Sequence, residues 1–264
     1  MLVDAVIFYD EHEMLEFRLK LLYAYVDKFV IVEGDKTHSG LDKPFFYEQN
    51  SSRYSWAADK IHYLKTYFDL DQLGFTKSSD RAYRNSCWRL ENAQRTAIVD
   101  ACAKFADSDL LVFGDVDEIP SLEALCWAKK NIRQLPVVCR QYFFWYNLCH
   151  LRQESWYGTI FSSLGNVRDS GIQTLRNQRN TLTSRISDGG WHLSYFGGTQ
   201  AIIRKLQAFA HQELNKPEFM DPEYIGHCRL SGQDLFDRGI QVSKVTSDFF
   251  PPYFKKAVPA HWWQ

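Results

Sequence analysis

The chain has 264 residues, and its 31 Lys and Arg against 32 Asp and Glu give a net charge of -1 by cancellation rather than by scarcity of charge. Balanced charge excludes a nucleic-acid binder running on bulk positive charge, and 45% apolar with 24% charged residues excludes wholesale disorder. Aromatic residues make up 16% of the chain, and a chain of this length buries about 70–75% of its unfolded surface, so a core is assured.

Val3–Phe8 is a short apolar run bounded by acidic residues and reads as a buried strand. Leu15, Leu19, Leu22 and Val26 then recur at helical spacing, behind acidic residues that suit the positive end of a helix dipole. Phe29–Val32 supplies a second strand, and strand, helix, strand at this spacing predicts a right-handed crossover in a parallel sheet. Leu90, Ala97, Ile98, Ala101 and Phe105 trace a further helix before the strand Leu110–Phe113. Ser121 is placed to cap a helix running through Lys130, and Val137–Tyr146 reads as a long strand. Residues 165–190, polar and rich in Arg and Asn, read as a long mobile loop. Thr199 is expected to cap a helix carrying Ile202, Leu206 and Phe209, and Ser231 to start a short one through Arg238.

No apolar stretch approaches the roughly 20 residues needed to cross a bilayer. Asp4, Asp10, Glu11 and Glu13 break up the start of the chain, so no secretory leader is read there. The expectation is a soluble, cytoplasmic protein whose six scattered cysteines are small core hydrophobes. No linker or repeat divides the chain, which predicts one α/β domain over 1–264 with a central, mostly parallel sheet flanked by helices.

The segment Leu110-Leu-Val-Phe-Gly-Asp-Val-Asp-Glu-Ile-Pro120 carries the most chemistry. A buried strand delivers Asp115, Asp117 and Glu118 to its carboxyl end, where open α/β sheets bind ligands. Carboxylates this close repel one another unless something positive compensates, and Mg²⁺ or Mn²⁺ takes such oxygen ligands while keeping positions open for substrate phosphates. Two known uses of Asp-x-Asp at a strand end compete. One is the aspartyl nucleophile of dehalogenase-type phosphatases, and the other is the metal clamp of GT-A glycosyltransferases. The position of the motif, far from the chain start and followed by Glu118, disfavours the phosphatase.

Asp4–Glu11, Phe29–Gly40 with Lys43-Pro44, Asp115–Pro120, Gly190–Gly198, Phe209–Glu213 and Gly232–Asp237, in this order, resemble family 17 glycosyltransferases, the β-1,4-mannosyl-glycoprotein N-acetylglucosaminyltransferase family. The resemblance runs from about residue 3 to about residue 255. It implies a GT-A nucleotide-sugar-binding fold, a UDP-sugar donor, a divalent metal (Mn²⁺ or Mg²⁺) and inversion at the anomeric carbon. It also implies a glycan acceptor and a donor-binding part over about 1–120 followed by an acceptor part over about 121–264. The animal enzymes carry an N-terminal membrane anchor and stem. This chain starts its first strand at residue 3, as expected of a microbial or virus-encoded relative, and their acceptor is not carried over.

Asp115, Asp117 and Glu118 are the expected metal ligands, and the resemblance to GT-A enzymes implies that Asp117 binds the metal while Asp115 reaches the ribose. For the general base that takes the acceptor proton, Asp188 comes first, beside the paired glycines Gly189 and Gly190, with Glu213 and Asp234 in reserve. Tyr9 is expected to line the uracil pocket, and Glu33, Thr37, His38, Ser39 and Lys43 form a polar cluster after a buried strand. Arg95 is a candidate for the uridine or diphosphate, Trp191 for stacking on a sugar, and His192 for the metal or diphosphate. An aspartyl phosphatase or phosphotransferase, and a carbohydrate-binding protein without turnover, remain as alternative readings.

Overall fold

β1 (Leu2–Phe8) is buried along its whole length in the computed structural model, which describes residues 1–264. Its side chains alternate between two cores. Leu2, Val6 and Phe8 join one, whereas Val3, Ala5 and Ile7 join the other. A strand covered on both faces must be apolar on both, which is why it reads as a run.

α1 (His12–Leu22) crosses over to β2 (Lys28–Gly34), which lies parallel to β1. After the short α2 (Phe46–Gln49), β3 (Ile61–Thr66) extends the parallel sheet outward. α3 (Asp80–Ala101) begins well before its apolar stripe, because the hydroxyl of Ser79 accepts from the amide of Ala82 and lets exposed polar turns precede the packed ones. β4 (Leu110–Asp115) returns on the other side of β1, also in parallel. β5 (Glu118–Pro120) follows, and then α4 (Leu122–Lys130), whose cap is Ser121 as expected.

Beyond this point antiparallel pairing takes over. β6 (Val137–Trp145), β7 (His150–Arg152) and β8 (Trp156–Ser163) extend the sheet, which is ordered β7-β6-β8-β4-β1-β2-β3. Residues 165–190 are not a long loop. They fold into α5 (Leu164–Ser170), α6 (Ile172–Asn177) and β9 (Arg185–Ile186), anchored by Leu164, Val167, Ile172 and Leu175 in the core beneath α3. β10 (Gly190–Ser194) runs antiparallel to β5 and parallel to β6.

α7 (Gly198–Ala208) is preceded by Gly197 in the left-handed region, so Thr199 lies inside its first turn rather than at its cap. α8 (Pro222–Ser231) ends where a helix was expected to start at Ser231: Gly232, at φ +80°, terminates it. β11 (Val242–Lys244) and α9 (Pro252–Ala257) finish the chain, and Trp262 docks on Phe17 with ring centroids 5.2 Å apart. The α/β organisation with a large central sheet flanked by helices matches the expectation, but the sheet is mixed rather than mostly parallel, because β7, β8 and β11 pair antiparallel with their neighbours. Cys87, Cys102, Cys139 and Cys228 are buried free thiols as expected, but Cys126 is exposed. No helix is long and apolar enough to cross a membrane.

Candidate active site

The parallel register sets the carboxyl ends of three strands side by side. Ile7 of β1 pairs with Val32 of β2 and with Asp115 of β4. A cavity of about 650 Å³ opens there, at the crevice where such sheets bind ligands. It is closed by α3, by α6 and Arg179, by the inward ends of β6 and β10, and by Lys205 of α7. Twice as many Lys and Arg as Asp and Glu side chains line it.

Asp115 and Asp117 both reach this cavity, from the turn between β4 and β5. Asp115 accepts from Arg95 Nη2 at 3.0 Å and from Arg176 Nη2 at 2.8 Å. Burial works against its ionisation, yet Arg176 and Arg95 hold its pKa well below the usual carboxylate range. Asp117 accepts from Lys205 Nζ at 2.9 Å, and the Nε2 of His192 lies 3.6 Å from its other oxygen. The same balance applies: burial is overcome by Lys205 and His192, and the pKa of Asp117 is held low.

Glu118 departs from the expected metal set. It is fully buried and turned away from the cavity, with its carboxylate accepting from Arg176 Nη1 (2.7 Å), Arg176 Nη2 (2.6 Å) and Trp156 Nε1 (2.6 Å). Gly114 makes this possible, since a Cβ there would meet Glu118 Oε2 at 2.5 Å. Nowhere do three His, Cys, Asp or Glu side chains converge so as to hold a metal ion.

Tyr9, Thr37, His38, Lys43, Arg95 and His192 also line the cavity. Burial, reinforced by Asp10 and Glu11, pushes the Tyr9 phenol up to about 12. His38 Nε2 is 2.7 Å from Gln94 Oε1. Ser39 and Glu33 lie outside the cavity wall. Ser39 shares a hydrogen bond with Thr37 (2.9 Å). Glu33 is consumed by Lys43, by the Tyr63 hydroxyl and by the amides of Phe46 and Tyr47, which fix the segment around α2.

Trp191 does not face the cavity. It packs in the core against Phe254 at 4.5 Å between ring centroids, and the aromatic rings on the cavity include Tyr9, Trp88, Phe143, Trp145 and Trp156 instead. The three expected bases are also placed elsewhere. Asp188 is exposed and bonded to the Tyr142 hydroxyl (2.5 Å). The glycines after it serve strand packing, since a Cβ on Gly190 would lie 2.0 Å from the carbonyl oxygen of Ile119. Asp234 is buried in an ion pair with Arg238 (2.8 Å), and Glu213 is 2.7 Å from His211 Nδ1. Their partners Arg238 and His211, rather than the carboxylates, touch the cavity.

Among the cavity residues that went unread in the sequence are Arg176, Arg179, Lys205 and Glu11. Arg179 lies over the Trp156 ring at 5.3 Å and pairs with no carboxylate, and burial followed by repulsion from Arg176 lowers its pKa. Glu11 accepts from the amide of Tyr9 at 3.2 Å. Burial dominates its environment and pushes its pKa up to about 7, with Lys205 pulling the other way.

A family model described as glycosyltransferase family 17 matches residues 1–240. No match was found among curated proteins. Among solved structures, the chain is similar to mouse xyloside xylosyltransferase 1 in its apo form, at 9% sequence identity over 71% of this chain and 77% of that one, with a TM-score of 0.32.

Proposed function

Because the chain belongs to glycosyltransferase family 17, we propose that it transfers a sugar, GlcNAc, from a UDP-sugar to a hydroxyl of a glycan acceptor, with inversion. The observation that carries the donor assignment is the cation-rich cavity at the ends of β1, β2 and β4. A nucleoside diphosphate needs several donors of positive charge together with flat apolar surface, and both line this space. Tyr9, Thr37 and His38 form the nucleoside side of the pocket. Arg179 and Lys205 reach the diphosphate, and Trp156 and His192 border the sugar.

For a divalent cation the donor set is Asp115 and Asp117, since Glu118 is enclosed by Arg176 and Trp156. Two carboxylates plus substrate phosphate oxygens meet the ordinary demand of Mg²⁺ or Mn²⁺. Bound there, the ion would supply Lewis-acid neutralisation of the departing diphosphate. Arg95 and Arg176 keep Asp115 ionised and oriented, while Lys205 does so for Asp117.

A thermal-shift comparison of UDP, GDP, CDP and inorganic phosphate, each with Mn²⁺ and with EDTA, tests the reading. A ligand that binds only the folded state must raise its stability. UDP with Mn²⁺ is expected to give the largest rise, and D117N to lose the Mn²⁺-dependent part. Absence of any UDP-specific shift overturns the assignment.

A further inference from the structure

We infer that a second, smaller cavity adjoining the large one receives the acceptor sugar, and that Glu11, at the neck between the two, is the general base for transfer. This rests on the glycosyltransferase reading above and assigns the half of the reaction which that reading leaves open.

The smaller cavity has a volume of about 160 Å³. That is about five waters' share of liquid volume, the scale of one sugar ring rather than of an extended glycan. Four residues line both cavities: Glu11, Asp117, Tyr195 and Lys205. A group at this neck faces the donor from one side and an incoming hydroxyl from the other, as an inverting displacement requires.

Among the carboxylates around the neck, Glu11 alone has no Lys, Arg or His nitrogen within ion-pair distance, although Lys205 acts on it from farther off. Glu91 and Asp115 are paired with Arg95, Asp117 with Lys205, Asp10 with Arg204, and Glu13 with His261. A carboxylate locked in an ion pair must break that pair to accept a proton. Glu11 has only the Tyr9 amide to give up.

An independent observation points to a ligand in the smaller cavity. Trp262 lines it and is 3% exposed, and its indole N–H has no hydrogen-bond partner. Buried donors are nearly always satisfied, so one left without a partner on a residue that lines a cavity calls for an acceptor that arrives from outside. The Trp262 ring packs edge-on against Phe196, with centroids 5.0 Å apart, and Asp10 and Arg204 lie on the same wall. Aromatic surface flanked by a carboxylate and a guanidinium suits a pyranose, which presents an apolar face and a rim of hydroxyls. Trp262 lies beyond the residues matched by the family model, whereas the rest of this cavity's lining lies within them.

In the step so assigned, the acceptor oxygen forms a bond to the anomeric carbon as the bond from that carbon to the diphosphate oxygen breaks. The bonding pair leaves with the diphosphate, and the acceptor proton passes to the Glu11 carboxylate.

The test uses the full chain with UDP-GlcNAc as donor and methyl mannoside, glucoside and N-acetylglucosaminide as acceptors, reading UDP release and glycoside product. Glu11→Gln should lower kcat about 10²–10⁴-fold, with UDP affinity by calorimetry unchanged within twofold. Trp262→Phe retains an aromatic ring and loses the N–H donor together with the fused five-membered ring. It should raise the acceptor KM about three- to tenfold, the worth of one hydrogen bond, and leave UDP affinity alone. Wild-type protein that releases no UDP in any mixture overturns the transferase reading itself. If the wild type turns over, E11Q retaining more than a tenth of kcat, or losing UDP affinity, overturns Glu11 as the base. An unchanged acceptor KM in W262F overturns the acceptor cavity.

Discussion

Arg18 of α1 and Asp4 of β1 form a two-pronged ion pair at 2.7 and 2.6 Å with both side chains essentially inaccessible to water, and the remaining Arg18 nitrogen, Nη1, donates to the carbonyl oxygen of Glu118 at 2.7 Å. The same nitrogen lies 3.3 Å from the Asp115 carbonyl oxygen. A helix on one face of the sheet thereby braces the acidic turn from beneath. Removing one member of such a pair leaves a buried charge without compensation, at a cost of about 3–5 kcal/mol. Arg18→Met is therefore expected to lower the free energy of unfolding in urea by about that amount, and the double variant D4N/R18M to recover part of it. Equal stability of R18M and the wild type would show that the brace carries nothing.

Arg176 joins two carboxylates that differ in exposure: Glu118, fully buried, and Asp115, which borders the cavity. Its structural and ligand-binding contributions can therefore be separated. Arg176→Leu should destabilise the fold by about 3–5 kcal/mol, because Glu118 keeps its charge inside the core. Adding Glu118→Gln should restore much of that stability without restoring affinity for UDP, since Asp115 then lacks one of its two orienting partners. Calorimetric titration of UDP into the double variant checks the point, and wild-type affinity there would make Arg176 a purely structural residue.

The parallel half of the fold was legible because β1, β2 and β4 are buried on both faces and show as uninterrupted apolar runs. Asp115 and Asp117 followed from their place at a strand end. Arg176 was not legible, since it belongs to a short helix held by only a few apolar side chains in a polar stretch, and buried arginines run against the usual exposure of that residue. Trp191 and His192 carried a readable signal in the period of two. Successive β10 residues face opposite sides, so His192 on the cavity consigns Trp191 to the core. Glu11 reads in the sequence as one more acid at the start of a helix, and only the tertiary neighbours show that it lacks an ion-pair partner.

The raised pKa of Glu11 makes folding stability depend on pH in a definite direction. Its value rises from 4.5 in the unfolded chain to about 7 in the folded protein, with Lys205, Asp10 and Asp117 as the charged groups acting on it. Between those values the folded state binds more protons than the unfolded state. Stability should therefore fall as pH rises from about 4.5 to 7, by up to roughly 3 kcal/mol from this group. Asp115 and Asp117, with lowered values, act oppositely: their contribution is present above pH 4 and lost below it. Comparing urea midpoints of the wild type and Glu11→Gln at pH 5 and pH 8 isolates the first effect. The variant should gain stability relative to the wild type at pH 8, and an identical difference at the two pH values would contradict the raised pKa.

Arg179 offers the counterpart to Arg176, a cavity cation whose removal strands no carboxylate. It donates to the Arg176 carbonyl at 3.2 Å and lies against Trp156, with no ion pair of its own. Such a residue costs the ligand-free fold repulsion from Arg176 and becomes useful when an anion arrives. Arg179→Ala should leave ligand-free stability within about 0.5 kcal/mol. It should weaken UDP by about 10–100-fold, the worth of one charge-assisted hydrogen bond. Loss of that contact should also flatten the salt dependence of UDP affinity, because the deleted interaction is an ionic one at a solvent-accessible cavity. Thermal unfolding without ligand, set beside UDP titrations at low and high salt, separates the two halves of the prediction. Unaltered UDP affinity would remove Arg179 from the diphosphate pocket, whatever its effect on the fold.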